Sequence, residues 1–256
     1  MTYRFKYITE SMFSTPVTLH GFKLRATPCC NAFQTVVQSS LQITASLMGN
    51  DVALGKTFST ADGLGNMMQW GLVASPHDRF CFVAEGTVRL TGRYCLPVKP
   101  EPYYTAETRL TAATDDMRDF ASRFSNPLEL MLAVHDAIAY TPCLTTTSTT
   151  AADVWNDRRG VCQDYAHLLI ALCRANGWHA RYVNGFITGE GATHAWVEVS
   201  DGKQWTALDP TLGTVAECDY VKIAHGRDAN DCPTNRGHFV GFTTETMTVS
   251  VSLSNI

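Results

Sequence analysis

The chain has 256 residues, of which 45% are hydrophobic and 17% charged, against roughly 25% charge in an average soluble domain. This composition excludes a disordered chain, and the length is sufficient for one large domain or two of moderate size. Lys and Arg number 20 and Asp and Glu 24, giving a net charge of −4 without a long run of one sign. We therefore expect no nucleic-acid and no membrane partner.

Cysteine usage and the N-terminus indicate the cellular compartment. None of the nine cysteines forms a C-x-x-C pair, so neither a disulfide framework nor a common zinc spacing is indicated. The first residues, MTYRFKYITE, lack the apolar region of a secretion signal, and no 18 uncharged apolar residues occur together. The sequence predicts a soluble, cytoplasmic protein.

The first part of the chain has the alternation and the β-branched bias of strands. Residues 32–47 and 79–90 follow this pattern, and the turn residues DGLGN at 62–66 separate two apolar runs. We predict a β-rich, sandwich-like domain over residues 1–95. Three prolines within LPVKPEPYYT begin a predicted linker over 96–113.

Helical spacing begins after the linker, and residues 114–256 are predicted to form a second unit. Pro127 is expected to open one helix, and Thr150 with Asp153 to cap another after a threonine-rich loop at 141–150. This loop lies next to a candidate site in our interpretation. The clearest helix has apolar residues every third or fourth position from Tyr165 onward and ends at Asn176-Gly177.

Short strands follow that helix. Residues 180–187, 193–199 and 204–209 are separated by turn residues, which predicts an antiparallel meander packed on the helix. A last alternating run, 238–253, suits either sheet, and we group it with the second unit.

Three residues in the second unit have the chemistry of nucleophilic catalysis. Cys162 stands where the helix begins, and the positive end of a helix favours a thiolate. His194 points away from the apolar face of its strand, and Asp209 ends the next strand, where a carboxylate can reach an imidazole. A packing role for each residue alone is the alternative, but the three together form a plausible triad.

The segments GVCQDYAHLLIALCRANGWHARYVNGF, HAWVEV and W-x-x-L-D-P-T closely resemble the transglutaminase-like superfamily of cysteine enzymes. DGLGN and the segment around Gly226-Arg227-Asp228 extend the resemblance over nearly the whole chain. It implies an α+β fold: a papain-like core with helices on an antiparallel sheet, preceded by an all-β domain. It also implies that Cys162 is the nucleophile, His194 the general base and Asp209 the orienting acid.

The implied chemistry is acyl transfer through a thioester on Cys162. The oxyanion would be met by the backbone N–H of Cys162 and one side chain, for which Asn156 and Gln163 are candidates. Further residues near these positions are candidates for the cleft, with packing or helix capping as the alternative explanation of each: Trp155, Asp164 and Trp196.

The resemblance leaves several activities open. Hydrolysis of a peptide or amide, as by a cysteine peptidase, is the leading interpretation, with transamidation or a non-catalytic binding module as alternatives, and a peptide or protein as the partner. Arg181 is a candidate for a substrate carboxylate or for an ion pair. We expect no cofactor and no metal, because the remaining Cys and His residues lack zinc spacing: Cys218, His225, Cys232 and His238.

Overall fold

The computed structural model describes residues 1–92, 94–97, 100–142, 144–200 and 202–256. Its helices are α1 (Asp115–Ala121), α2 (Pro127–Ala137), α3 (Ala151–Asp157) and α4 (Cys162–Ala175), with a 3₁₀ turn at Pro102–Thr105. Its strands are β1 (Thr2–Leu24), β2 (Gln34–Leu47), β3 (Asn50–Val52), β4 (Phe58–Ala61), β5 (Met67–Val73), β6 (His77–Leu90), β7 (Cys95–Leu96), β8 (Ala139–Tyr140), β9 (Arg159–Gly160), β10 (His179–Ile187), β11 (Gly189–Gly191), β12 (His194–Ser200), β13 (Trp205–Asp209), β14 (Thr214–Val215), β15 (Tyr220–Gly226), β16 (Asn235–Val240) and β17 (Glu245–Asn255).

The long strand β1 organises the larger sheet. Up to Met12 it lies between β6 and β17, and from Thr18 onward it lies between β5 and β16. The register shifts between Met12 and Val17, and Leu19 has a positive φ of 49°. The predicted sandwich is therefore a nine-stranded sheet whose two parts share one strand.

The C-terminal strands belong to this larger sheet. We grouped residues 238–253 with the second unit, but β16 and β17 pair with β1. Val251 and Leu253 of β17 are buried in the same core as Tyr7 of β1. Alternation specifies which face of a strand is buried, and it leaves the neighbouring strand undetermined.

The second sheet carries the helices. Its order is β14-β13-β12-β10-β15, with β7 paired to β13, and α4 packs on β10 and β12. Eleven of the 14 residues of α4 are buried, and α1, α2 and α3 pack against it. The predicted helix starts agree with the structure: Asn126 caps α2 before Pro127, and Thr150 and Asp153 cap α3 reciprocally.

The segment predicted as a linker packs against the second sheet. Leu96 pairs with Trp205 of β13, and Tyr104, Leu110 and Thr111 are buried. The prolines interrupt regular structure without separating the chain into independent parts. Val98 and Lys99, within the predicted linker, lie outside the described residues.

Two amide side chains from the N-terminal part complete the edge of β15. The amide of Gln34 donates to the carbonyl of Lys222 and accepts from its N–H, both at 2.8 Å. Asn66 makes the same pair of bonds with His225, both at 2.9 Å. An exposed edge strand invites pairing with other chains. Here backbone groups at the edge of β15 are hydrogen-bonded within the molecule. The DGLGN turn contributes to this contact through Asn66.

A buried ionic cluster lies between the two parts of the chain. Glu198 accepts hydrogen bonds from Tyr94, Arg181 and Lys222, the last with Nζ 2.8 Å from both carboxylate oxygens. Burial alone would raise the pKa of Glu198, but the two cations hold it well below its usual range. Arg181 therefore forms the ion pair that was one of its two predicted roles.

In the part of the chain that the structure describes, none of the helices is long and apolar enough to span a membrane. The eight cysteines in this part are free thiols.

Candidate active site

The start of α4 fixes the position of Cys162. Val161 is the N-cap, and its N–H donates to Oδ2 of Asp164 at 2.8 Å, while Thr145 donates to the same oxygen at 2.6 Å. Cys162 is partly buried as the first helical residue. The backbone N–H groups of Cys162 and Gln163 donate to no acceptor among the described residues. This is expected in the first turn of a helix, where the N–H groups have no carbonyl partner within the helix.

His194 and Asp209 form a buried pair at the ends of neighbouring strands. Nε2 of His194 lies 2.6 Å from Oδ2 of Asp209. The N–H groups of Thr211 and Leu212 donate to Oδ1 at 2.9 and 3.1 Å, and the Tyr220 hydroxyl donates to Oδ2 at 2.8 Å. Four groups thus bond the carboxylate of Asp209 and orient it toward the imidazole.

The environment of His194 favours its protonated form. Burial alone would lower the pKa, but the hydrogen bond with Asp209, the proximity of Cys162 and the charge of the Asp209 carboxylate raise it to about 9. The imidazole therefore bonds Asp209 and lines the same cleft as Cys162. It carries a proton at neutral pH, as a general acid requires.

Cys162 and His194 border a cleft of about 500 Å³. One wall consists of the start of α4 with Tyr182, Asn184 and Ala195 from β10 and β12. The other wall comes from the larger sheet, through residues of β1, β16 and β17 and the loop before β16: Tyr7, Thr9, Pro233, Thr234, Asn235, Arg236, Met247 and Val249. The N-terminal part of the chain therefore helps to form the cleft.

The other sequence candidates occupy different places. Gln163 lines the cleft beside Cys162. Asn156 is exposed on α3, outside the cleft-lining set, because it lies on the solvent side of that short helix. Asp164 is fully buried beneath the helix start, where it caps Val161 and does not line the cleft.

The two tryptophan candidates are packing residues and also lie outside the cleft lining. Trp155 donates to Asp116, and the guanidinium of Arg158 lies 3.6 Å from the centre of its ring. Trp196 is fully buried, with its ring 6.4 Å from that of His194 and 5.3 Å from that of Tyr220. Trp196 packs beside the imidazole, because the alternation of β12 directs both side chains to the same face of the strand.

The chain is similar to several known proteins. Residues 106–210 match the model of the transglutaminase-like superfamily. Residues 106–210 form a transglutaminase-like domain. A solved structure of a candidate cysteine protease from Cytophaga hutchinsonii superposes with a TM-score of 0.77 at 22% identity, covering 100% of this chain and 91% of that one. The fold is thus shared over the whole chain, including the β-rich part.

Relatives of similar length occur in mycobacteria. An uncharacterized protein of Mycobacterium tuberculosis is 28% identical over 278 residues, covering 92% of this chain and 86% of the relative. Another from Mycobacterium leprae is 23% identical over 287 residues, covering 99% and 98%. The similarity therefore extends well beyond the transglutaminase-like domain.

Sequence reasoning missed several residues around the transglutaminase-like site. Tyr220 has no local signal, because it reaches Asp209 only through the folded sheet. Asn184 interrupts the apolar pattern of β10, and its buried Oδ1 has no partner among the described residues. A buried polar residue within an apolar strand was a usable signal for the cleft. The threonine-rich loop contributes Thr147 to the lining, while its Cys143 lies outside the described residues.

His167 positions another part of the lining. It is fully buried in α4, and its Nε2 accepts a hydrogen bond from the N–H of Ala229 at 3.2 Å. Burial lowers its pKa to about 4, so it is neutral and able to accept. Ala229 and Asn230 line the cleft, and His167 therefore fixes one side of it from within.

The described residues contain no group of three or more His, Cys, Asp or Glu side chains arranged to hold a metal ion.

Proposed function

We propose that this protein is a cysteine-dependent acyl-transfer enzyme that hydrolyses peptide or amide bonds through a thioester on Cys162. The observation that carries the proposal is His194, which bonds the buried carboxylate of Asp209 and lines the same accessible cleft as Cys162. This arrangement suits a nucleophile, a base and an orienting acid.

In the proposed reaction, Cys162 attacks the carboxamide carbon as a thiolate while His194 holds the proton. The C–N bond breaks as His194 transfers this proton to the departing nitrogen, leaving an acyl group on the sulfur. His194 then takes a proton from water, the resulting hydroxide attacks the thioester carbon, and Cys162 departs as a thiolate. Asp209 keeps the imidazole oriented throughout.

The developing oxyanion needs donors near the sulfur. The free N–H of Cys162 at the helix start is one, and we propose the side-chain amide of Gln163 as the second because it alone of the two sequence candidates lines the cleft. We further infer that α4 packed on the antiparallel sheet corresponds to a papain-like core.

The substrate and compartment follow from the same features. A peptide or protein suits a cleft whose second wall offers hydrogen-bonding side chains beside apolar ones, among them Thr9, Thr234 and Asn235. Eight free thiols among the described cysteines suit a reducing cytoplasm. Both assignments are part of the proposal.

The experiment is incubation with a peptide library, followed by mass spectrometry of the products and of the protein. Wild type is expected to release new termini and to carry an acyl adduct on Cys162 when quenched, and Cys162→Ala to do neither. Cys30→Ala is the matched control, because Cys30 is exposed and lies outside the cleft. Absence of product and adduct from wild type contradicts catalysis and favours a binding module.

The same incubation with a primary amine distinguishes the two acyl acceptors. Hydrolysis predicts free acids whatever the amine concentration. Products that carry the mass of the amine would instead show transamidation. Water and an amine compete for the same thioester. The ratio of free acid to amine-bearing product therefore measures which acceptor the enzyme uses.

A further inference from the structure

A second groove adjoins the cleft on the outer surface of the larger sheet. It has a volume of about 420 Å³ and lies across β1, β5 and β16. Its floor is apolar, with Met68 and Trp70, and its rim is basic, with Lys23, Arg236 and His238. Trp70 is 41% exposed and stacks on Phe58, with ring centres 4.4 Å apart. Large exposed aromatic surfaces commonly mark binding sites.

The rim places two permanent cations side by side. Lys23 and Arg236 are directly opposite in the antiparallel register of β1 and β16, and both are exposed. Like charges at opposed positions destabilise a sheet pair. Neither cation has an ion-pair partner among the described residues. The chain as a whole is acidic, with a net charge of −4. The rim of the groove therefore has the opposite sign of charge from the chain as a whole.

Arg236 connects the groove to the catalytic cleft, since it lines both. No Asp or Glu is among the described residues that line either cavity. A ligand that follows the surface from the cleft into the groove therefore meets basic and apolar side chains without an opposing carboxylate. Charge complementarity selects an acidic, extended ligand.

We propose that this groove is an exosite that binds an acidic segment of the polypeptide substrate, adjacent to the residue that reacts with Cys162. Carboxylate side chains of the segment bind between Lys23 and Arg236, and a neighbouring apolar side chain packs on Trp70. The inference rests on the proposed function only in taking the bound polypeptide to be the substrate.

The test compares peptides that carry three Glu or three Gln on either side of the reacting amide. Wild type is expected to show a kcat/KM about 10-fold higher or more for the Glu peptide on one side, mainly through KM, as charged hydrogen bonds allow. The preference should shrink as salt is raised from about 0.05 to about 0.5 M, because screening weakens exposed charge interactions. The double variant Lys23→Gln/Arg236→Gln should lose the preference for the Glu peptide, and Arg236→Lys should retain this preference.

Arg4→Gln/Lys6→Gln is the matched control, since it removes the same charge from exposed positions of β1 that line neither cavity. Equal loss of preference in this control, or its persistence in the Lys23→Gln/Arg236→Gln variant, overturns the exosite. Active wild type without a Glu preference also overturns it and leaves the proposed function intact.

Binding to the Cys162→Ala variant separates the two proposals. Anisotropy of a labelled Glu peptide should report binding that depends on Lys23 and Arg236 even if no peptide is ever turned over, and this would uphold the exosite while the proposed function fails. Tighter binding of a single-stranded oligonucleotide or of anionic vesicles than of the Glu peptide would contradict an acidic polypeptide as the ligand.

Discussion

At the scale of single residues, the properties of His194 follow from its two neighbours. A histidine as buried as this one would ordinarily lose its proton more readily, yet the carboxylate of Asp209 and the sulfur of Cys162 reverse the effect. Asp209 is itself fixed by two backbone N–H groups and Tyr220. The pKa of His194 therefore depends in part on Asp209 and Tyr220, neither of which lines the cleft.

We predict that Asp209→Asn lowers the pKa of His194 from about 9 toward its ordinary value of 6.5. A raised pKa keeps the imidazolium present below that value and loses it as the pH rises, so the alkaline limb of activity should move to lower pH. We also expect the rate to fall about 10²- to 10⁴-fold, the usual size of an acid–base contribution. The pH dependence of kcat/KM measures both effects.

Asp116→Asn is the control for this experiment, because Asp116 bonds Trp155 outside the cleft. An alkaline limb that stays near pH 9 in Asp209→Asn would contradict the assigned role of the carboxylate.

A second residue-scale prediction concerns the oxyanion donor. Gln163→Ala should lower kcat by about 10- to 1,000-fold with little change in KM, since an oxyanion donor acts mainly in the transition state. Asn156→Ala should change neither, because Asn156 is exposed outside the cleft. Steady-state kinetics of the two variants decide the matter, and the reverse order of effects would reassign the donor to Asn156.

At the scale of elements, the start of α4 depends on close packing with the preceding strand. A Cβ added to Gly160 would lie 2.6 Å from Cβ of Asp164, the residue that caps Val161. The helix start and Cys162 therefore depend on a glycine two positions earlier. The sequence predicted α4 and its capping acid from local signals, whereas the need for glycine arises only when β9 meets the helix.

Gly160→Ala is accordingly expected to displace Asp164 and the first turn of α4. We predict a loss of about 1–3 kcal/mol in unfolding free energy, as for other overpacked sites, together with reduced kcat/KM. Urea denaturation and steady-state kinetics measure the two effects. Gly191→Ala is the control, since its Cβ would meet nothing within 4 Å. Unchanged stability and activity of Gly160→Ala would show that Asp164 can move away from the added methyl group without a loss of unfolding free energy.

At the scale of the whole molecule, the two sheets are joined by polar contacts as well as by apolar packing. Phe186 of β10 packs on Phe5 and Tyr7 of β1, with ring centres 5.7 and 5.4 Å apart. Beside them, the side chains of Gln34 and Asn66 complete the edge of β15. These contacts hold the larger sheet in the position where it forms the second wall of the cleft.

We predict that Glu198→Gln lowers the unfolding free energy by about 3–5 kcal/mol, because it leaves Arg181 and Lys222 buried without their counter-charge. Glu10→Gln, which removes the partly exposed pair with Arg79, should cost no more than about 1 kcal/mol. Urea denaturation of both variants measures the difference. Equal small losses would mean that Lys222 is readily neutralised.

The sequence by itself determined the elements that local chemistry encodes. Helical periodicity and capping residues specify α4, and alternation with turn residues specifies β10, β12 and β13. The segments that contain Cys162, His194 and Asp209 were enough to indicate the transglutaminase-like family, and their catalytic roles stay a prediction.

The tertiary structure alone decided how the elements meet. It paired β16 and β17 with β1, brought Tyr220 to Asp209, buried Trp196 behind His194, and placed Arg236 between two cavities. The physical reason is that alternation and periodicity define the buried face of an element, whereas its neighbours are chosen by packing and hydrogen bonding between residues far apart in the chain. The cleft is formed by such distant contacts, and its shape appears only in the folded molecule.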